Sequence, residues 1–88
     1  MKYMLWNSDD RKWFKETYDN IIDARKSAYK RKCLETEVCV VKGRDADVVG
    51  TVMNKRYNKY GRPIYIPNTD NPSVYYLNSD GTLGKKVD

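Results

Sequence analysis

The sequence predicts an α+β fold in which one helix packs on one face of a small, mainly antiparallel sheet of four to five strands. Three observations predict it. Apolar residues recur with helical spacing in one segment, several short segments are rich in β-branched and aromatic residues, and turn-forming residues separate these segments. At 88 residues the chain has room for one modest core. We therefore expect a single domain, residues 1–88.

The N-terminal segment predicts a hairpin with a large aromatic content. Residues 2–6 are typical of a strand, and the polar run from Asn7 to Asp10 is typical of a turn, because Asn and Asp side chains bond their own backbone. Residues 11–15 can return as a second strand. Trp6 and Trp13 would then lie on either side of the turn and pack together.

Residues 18–32 predict the helix. Its apolar side chains fall on one face at intervals of three and four residues, with Thr17 or Asp19 available as N-cap. The expected apolar face consists of Tyr18, Ile21, Ile22, Ala24, Ala28 and Tyr29. We expect Ile21 and Ala28 to be buried against the sheet.

A β-hairpin is predicted after the helix. Residues 37–42 are rich in valine and end at Gly43, as expected for a buried strand. Residues 47–54 alternate in the same way and are the expected hairpin partner. Gly50 interrupts this second strand, which indicates a bulge or a close approach of another group to the backbone.

The C-terminal third predicts two short strands. Residues 62–67 contain two prolines, which place a strand at a sheet edge because proline donates no hydrogen bond to a neighbour. Residues 73–77 are the last expected strand, between the turn signals of residues 68–72 and 78–81. We expect residues 85–88 to form a frayed end.

The ionisable and metal-binding residues argue against catalysis. The chain has no histidine, the side chain that most often titrates near neutral pH in enzymes. Two cysteines without histidine do not complete the shell of a zinc site, and we interpret Cys33 and Cys39 as free thiols. We therefore expect no enzyme activity, no cofactor, no bound metal and no small-molecule substrate.

Three pairs of acidic residues leave one alternative open. Carboxylates in such pairs hold Mg²⁺ in nucleases, which keeps a small metal-dependent nuclease as a distant alternative. Acidic pairs in loops are more often helix caps or turn residues, and this is how we interpret them. The pairs are Asp9 with Asp10, Glu35 with Glu37, and Asp45 with Asp47.

Apolar runs in this chain are short. None approaches the ~20 residues that span a bilayer. The N-terminal apolar run of residues 3–6 is also much shorter than the apolar region of a signal peptide. We expect a cytoplasmic protein that makes no membrane contact.

Positive charge is concentrated in two segments. The chain has 17 Lys and Arg residues against 12 Asp and Glu residues, a net charge of +5, which favours anionic partners only weakly. Residues 25–32 and 54–66, however, contain no acidic residue. The second segment alternates cations with tyrosines, a mixture that suits a phosphate backbone with its bases, or an acidic protein surface.

The segment 54–66 is therefore the main candidate binding site. If residues 47–56 pair with residues 62–67, its cations surround the tip of a hairpin that can enter a nucleic-acid groove. The structural alternative is a solvated hairpin whose tyrosines pack on the sheet. The candidate partner-binding residues are Lys55, Arg56, Tyr57, Lys59, Tyr60 and Arg62.

A secondary basic face is expected at the end of the helix. Lys26, Lys30 and Arg31 would add positive potential to the main site. Cations also complement the negative end of a helix dipole, so the same residues are more typical of a solvated helix terminus.

The order of elements resembles that of the small strand-helix-strand-strand accessory proteins of bacteriophages and mobile elements. The resemblance is one of build and covers the short helix at residues 18–25 and the valine-rich strand at residues 49–52. It implies a role in blocking host defence or redirecting host machinery, in the cytoplasm of an infected cell. It transfers no site residues.

Together these features predict a non-enzymatic binding protein. We expect a phage-type accessory protein that engages nucleic acid or a nucleoprotein complex through the basic hairpin. The alternative is a protein-protein inhibitor of a host defence or host enzyme complex, which would use the same surface on an acidic protein partner.

Overall fold

The computed structural model describes residues 2–31, 33–57, 59–61, 63–68 and 71–87, with the side chains of 54–57 excepted. The elements are β1 (Tyr3–Asn7), β2 (Lys12–Tyr18), α1 (Ile21–Tyr29), β3 (Glu35–Lys42), β4 (Asp45–Tyr57), β5 (Pro63–Pro67), β6 (Ser73–Leu77) and β7 (Leu83–Lys86).

The strands form one antiparallel sheet in the order β2-β1-β3-β4-β6-β7. β4 is 13 residues long and pairs with β3 along one side. Its other side is shared: β6 pairs with residues 45–48, and β5 pairs with residues 50–57. The α+β class, the single helix and the antiparallel sheet are confirmed, but the expected four to five strands are wrong, because the sheet has seven.

The largest error concerns the C-terminus. The predicted frayed end includes Lys85 and Lys86, which belong to β7 and pair with β6. Two side chains from the N-terminal hairpin also hold this region: Arg11 Nη2 donates to Leu83 O at 2.8 Å, and Trp13 Nε1 donates to Gly81 O at 2.7 Å. β7 is therefore held on the sheet by residues from the opposite end of the chain.

The helix is shorter than predicted at both ends. Tyr18 pairs with Tyr3 as the last residue of β2, so the helix begins at Ile21. Its N-cap is Asn20, whose Oδ1 accepts a hydrogen bond from the backbone N of Asp23 at 2.9 Å, which satisfies one of the free N–H groups of the first turn.

One face of the helix packs on the sheet. Ala24 and Ala28 are fully buried, and their small side chains let the helix lie close to the sheet. Ile21 is half-buried, so the burial expected for it is reached only in part. Ile22, also expected on the apolar face, is 62% exposed.

The adjacent isoleucines provide a test of this packing. Ile21→Asp should lower the free energy of unfolding by about 1–3 kcal/mol, because it removes apolar contact with the core and places a charge beside it. Ile22→Asp is the matched control, since it gives the same charge at the same helix end but changes an exposed position, where effects stay within about 0.5 kcal/mol. Chemical denaturation measures both, and equal losses would contradict the assigned face.

Apolar side chains are buried on both faces of the sheet. The first cluster lies under the helix and contains Leu5, Ala24, Ala28, Val38, Val40, Val49 and Val52. The second lies on the opposite face and contains Trp6, Cys39, Ala46, Val48 and Leu83. The predicted tryptophan pair is part of it, with the ring centroids of Trp6 and Trp13 4.9 Å apart in an edge-to-face arrangement. β3 contributes to both clusters, which explains its nearly continuous apolar sequence.

Candidate nucleic-acid interface

The β4–β5 hairpin carries the main candidate site. β3 pairs with β4 as far as Met53, and residues 54–57 continue as strand beyond this last β3 pair. The register with β5 shifts here: Met53 pairs with Ile64 and Tyr57 with Pro63, so β4 advances four residues while β5 advances one. The hairpin continues at least to the pairing of Tyr57 with Pro63. We call residues 54–62 the basic arm.

The molecule is elongated, and the basic arm begins at the end of its longest described strand. The principal dimensions are 39 × 27 × 26 Å. β4, with 13 residues, is the longest strand that the structure describes. An arm at the end of this strand is well placed to contact a partner without rearrangement of the core.

Two of the predicted arm residues have described side chains. Tyr60 is 75% exposed, and Lys59 is exposed with its Nζ 5.1 Å from the centroid of the Tyr60 ring. Lys55, Arg56 and Tyr57 lie in β4, but their side chains are outside the described residues, as is Arg62.

The predicted secondary face divides into two kinds of residue. Lys26 and Lys30 are exposed. Arg31 is half-buried: its Nη2 lies 3.1 Å from Glu16 Oε2, and its guanidinium stacks 4.2 Å from the centroid of Phe14. Arg31 therefore ties the end of the helix to β2, which is a structural role for a cation at this position.

A contact between the helix and the base of the arm was not predicted from the sequence. Arg25 lies with its Cζ 4.2 Å from the centroid of Tyr65 on β5 and 5.6 Å from that of Tyr29. Its Nε donates to Tyr29 Oη at 3.0 Å, and the two tyrosine rings meet edge to face at 6.5 Å. Burial raises the pKa of Tyr65, and the positive charge of Arg25 opposes this shift. The cluster places a helix cation beside β5, the strand that follows the basic arm.

Gly50 makes room for this cluster. The Tyr65 ring crosses β4 over Gly50, where a Cβ would lie 2.6 Å from Tyr65 Cε2. The interruption in β4 therefore marks a close approach. It also lies at a register shift, since Val38 pairs with Gly50 and Cys39 with Val48, so both possibilities that the sequence left open are present. An aromatic ring over a strand glycine also covers the exposed backbone.

Gly50→Ala should be destabilising because of this ring. We expect a loss of about 1–3 kcal/mol, since the added methyl group displaces Tyr65 from Arg25 and Tyr29. In a Tyr65→Ala background the same substitution should cost less than about 0.5 kcal/mol, because alanine is otherwise the better strand residue. Denaturant unfolding of the four proteins of this cycle measures the coupling, and additive losses would contradict the assigned contact.

A second feature lies on the sheet face opposite the helix. Glu35 and Glu37 both lie on β3 and line a cavity of about 290 Å³. Thr51 Oγ1 donates to Glu37 Oε2 at 2.6 Å. Burial, reinforced by the neighbouring Glu35, raises the pKa of Glu37 to about 7, although hydrogen bonds from Thr51 and Ser8 oppose the shift. The other residues of the cavity are Trp6, Ser8, Arg11, Tyr75, Leu83 and Gly84.

Three residues of the other two acidic pairs make structural contacts. Asp9 Oδ2 accepts a hydrogen bond from the backbone N of Leu34, and Asp10 accepts one from the Asn7 side chain. Asp47 lies 2.7 Å from Lys42 Nζ. Over the described ranges, no three or more His, Cys, Asp and Glu residues come together in a way that could hold a metal ion.

Two further observations concern the cysteines and the helix. Cys33 and Cys39 are thiols that form no disulfide: Cys33 Sγ lies 2.8 Å from Thr36 Oγ1, and Cys39 is buried in the second cluster. Within the part of the chain that the structure describes, no helix is both long and apolar enough to cross a membrane.

Comparisons of the chain with models of protein families, with curated protein sequences and with solved structures found no match. Function is therefore inferred from the geometry of the chain itself. Its two main elements are the basic arm and the Arg25 cluster that joins the base of the arm to the helix.

Proposed function

We propose that this protein binds nucleic acid through the basic arm, with the exposed cations of α1 as a second contact, and that it catalyses no reaction on its partner. The observation that carries the proposal is the position of an acid-free, cation-rich segment at the connection of the β4–β5 hairpin, where Lys59 and Tyr60 are exposed. Several cations close together in the sequence suit the regular charge of a phosphate backbone.

The distribution of charge supports an anionic partner more strongly than the net charge does. Residues 54–66 contain four cations and no carboxylate, although the chain as a whole has 12 acidic residues. The described side chains at the tip, Lys59 and Tyr60, are exposed and therefore accessible to a partner. These charges repel one another in the free protein, and a bound polyanion removes that cost.

Catalysis forms no part of the proposal because most of the paired acidic residues make contacts that hold the fold together. Asp9 and Asp10 bond neighbouring backbone and side-chain groups, and Asp47 is paired with Lys42. Glu37, with its raised pKa, is a poor ligand for Mg²⁺ below neutral pH because it is largely protonated there.

Salt dependence tests the proposal. Each phosphate of duplex DNA that a cation neutralises releases ~0.9 counterions. Four such contacts should therefore give a slope of about −3 to −4 in a plot of log K against log salt. Fluorescence anisotropy with labelled oligonucleotides measures this slope. Capture from a host lysate, with and without nuclease, provides the complementary test.

The alternative of a protein inhibitor predicts different results. A protein partner that survives nuclease treatment in stoichiometric amount, together with no measurable oligonucleotide binding at low salt, would reject nucleic acid as the ligand. Phage-type accessory proteins act on both kinds of target, so either outcome is compatible with the resemblance in build.

A further inference from the structure

We infer that β7 is a pH-sensitive cover: it closes over Glu37 while that side chain is protonated, and it detaches locally from the sheet when Glu37 ionises. This cover lies on the sheet face opposite the helix and does not depend on binding through the basic arm. Three features of the fold carry the inference: the position of β7 over Glu37, the way in which β7 is held on the sheet, and the charged groups around the cavity.

β7 forms one side of the cavity that contains the glutamate pair. Leu83 and Gly84 of β7 line this cavity of about 290 Å³ together with Glu35 and Glu37. The Leu83 side chain is buried and packs in the second cluster, which also contains the buried Trp6. Detachment of β7 would therefore let water enter the cavity and would expose apolar side chains of the second cluster.

β7 is held on the sheet along one side. It has four residues, is the last strand in the order of the sheet, and pairs with β6 alone among the described strands. The register of this pairing shifts within the four residues. Its hydrogen bonds include those from Arg11 Nη2 to Leu83 O at 2.8 Å and from Val87 N to Val74 O at 2.7 Å. Short edge elements of this kind open at a lower free energy than the whole domain does.

The charged groups around the cavity disfavour an ionised Glu37 while β7 is closed. Glu35 on β3 repels the ionised form. Arg11, in the turn after β1, also lines the cavity, but its Nη2 donates to Leu83 O, so this bond directs its charge to the backbone of β7. From β6, Tyr75 is neutral near pH 7, because burial and both glutamates raise its pKa. The lining residues of β7 itself carry no charge.

The groups in the sheet beneath β7 complete this environment. Burial is the main cause that raises the pKa of Glu37 to about 7, although the hydroxyl groups of Thr51 on β4 and Ser8 after β1 oppose the shift. Burial and the charge of Glu37 also raise the pKa of Cys39 on β3, so this thiol is uncharged. Burial, which β7 helps to provide, is thus the largest contribution to the proton affinity of Glu37.

Detachment of β7 should weaken the binding of this proton. Water that enters the open cavity returns the pKa of Glu37 from about 7 towards the ordinary value of 4.5. The closed state therefore binds the proton more tightly than the open state does. The stabilisation of the closed state is fully present below about pH 4.5 and is lost as the pH rises through 7.

Amide hydrogen exchange at Val87 tests the inference, because Val87 N donates to Val74 O where β7 meets β6. After correction for the intrinsic exchange rate, we expect its opening constant to rise by about 10-fold between pH 6 and pH 8. At both pH values the constant should exceed that of global unfolding, measured in urea, by at least about 10-fold. Arg31 N, which donates to Ala28 O at the end of the helix, provides a control amide without this rise.

Two variants assign the titrating group. Glu37→Gln keeps a neutral side chain in the cavity, so the opening constant of Val87 should no longer depend on pH. Glu16→Gln, at an exposed position of β2, should leave the 10-fold rise intact. A rise that persists in Glu37→Gln would assign the titration to another group and overturn the inference.

Two results for the wild-type protein would also overturn it. Equal opening constants for Val87 and for global unfolding would mean that β7 does not detach by itself. A larger constant for Val87 that does not change with pH would mean that β7 opens without hydrating Glu37. Either result leaves the proposed binding of nucleic acid by the basic arm in place.

Discussion

Replacement of Lys55, Arg56, Lys59 and Arg62 together by Ser should weaken binding to a DNA duplex by about 10²- to 10³-fold at 0.1 M salt. The magnitude follows from counterion release. When four phosphates are neutralised, the binding constant varies as about the −3.6 power of the salt concentration. The affinity gained through these contacts therefore changes by up to about 10³·⁶-fold between 1 M and 0.1 M salt. The slope of log K against log salt should become shallower by about 3 to 4 in the variant.

The fold should be unaffected by this change. Surface charges contribute little to stability, and removal of four neighbouring cations also relieves their repulsion. We therefore expect the melting temperature of the fourfold variant to stay within a few degrees of the wild-type value. A thermal melt followed by circular dichroism measures this, and it ensures that a loss of binding is not a loss of folding.

The chain offers a matched control with the same change in net charge. Two of its lysines lie on β2, at the edge of the sheet far from the arm in strand order, and two lie on β7. All four are exposed. Their replacement by Ser should change the affinity for the DNA duplex by less than about 10-fold, because it acts only through the long-range electrostatic potential of the protein. The control positions are Lys12, Lys15, Lys85 and Lys86. If both fourfold variants lose affinity equally, the arm has no special role and only the net charge matters.

Elements defined by neighbouring segments could be predicted from the sequence. The Trp6–Trp13 hairpin needs only two short strands and an Asx-rich turn between them, and it is confirmed. The β3–β4 hairpin is confirmed for the same reason, because two valine-rich segments flank one glycine turn. In both cases a local pattern is sufficient to determine the pairing.

Elements defined by distant contacts could not be predicted. β7 is held partly by a hydrogen bond from Arg11 to Leu83, which lie 72 residues apart in the sequence. The four residues of β7 form no local pattern that predicts this contact. The helix was predicted too long because Tyr18 fits a helical face and a strand equally well, and its pairing with Tyr3 decides for the strand. Ile22 lies one position outside the face that Ala24 and Ala28 bury.

The candidate site shows the same division. The cations and tyrosines of the basic arm form one continuous segment, so its composition identifies it. The stacking of Arg25 on Tyr65 joins residues 40 positions apart, and only the pairing of β5 with β4 brings them together. The alternation along β3 is enough to place Glu35 and Glu37 on one face, but not to show that Tyr75 and Leu83 cover that face.

The pair Glu35 and Glu37, in the cavity that Tyr75 and Leu83 also line, should make the free energy of unfolding depend on pH near neutrality. The pKa of Glu37 is about 7 in the folded protein against 4.5 for an ordinary glutamate, so the folded state binds the proton more tightly. The stabilisation that this proton provides is fully present below about pH 4.5 and is lost as the pH rises through 7. The shift corresponds to about 2–3 kcal/mol of unfolding free energy between pH 5 and pH 8.

The groups around Glu37 set the size of this effect. Glu35 on the same strand repels the ionised form, and burial together with both glutamates raises the pKa of Tyr75 on β6. Arg11 lines the same cavity, but its guanidinium is bonded to Leu83 O and lies 5.7 Å from the centroid of Trp6. The hydrogen bonds that lower the pKa of Glu37 come from the side chains of Thr51 and Ser8, and a hydroxyl group stabilises an ion less than a paired cation does.

Glu37→Gln should remove this dependence. Glutamine is the neutral analogue of the protonated side chain: its oxygen can accept from Thr51, and its amide can donate to Glu35. At pH 5 the variant and the wild type should therefore unfold within about 0.5 kcal/mol of each other, and at pH 8 the variant should be the more stable by about 2–3 kcal/mol. For a domain of this size that difference is about 10 °C or more in melting temperature.

Glu16→Gln separates this effect from the general titration of acidic residues. Glu16 is exposed and paired with Arg31, so the substitution should lower the free energy of unfolding by at most about 1 kcal/mol. The loss should be nearly the same at pH 5 and at pH 8. Urea unfolding of the three proteins across this range measures the difference. If Glu37→Gln changes stability equally at both pH values, Glu37 keeps one ionisation state throughout, and its carboxyl group is not shielded from water by Tyr75 and β7.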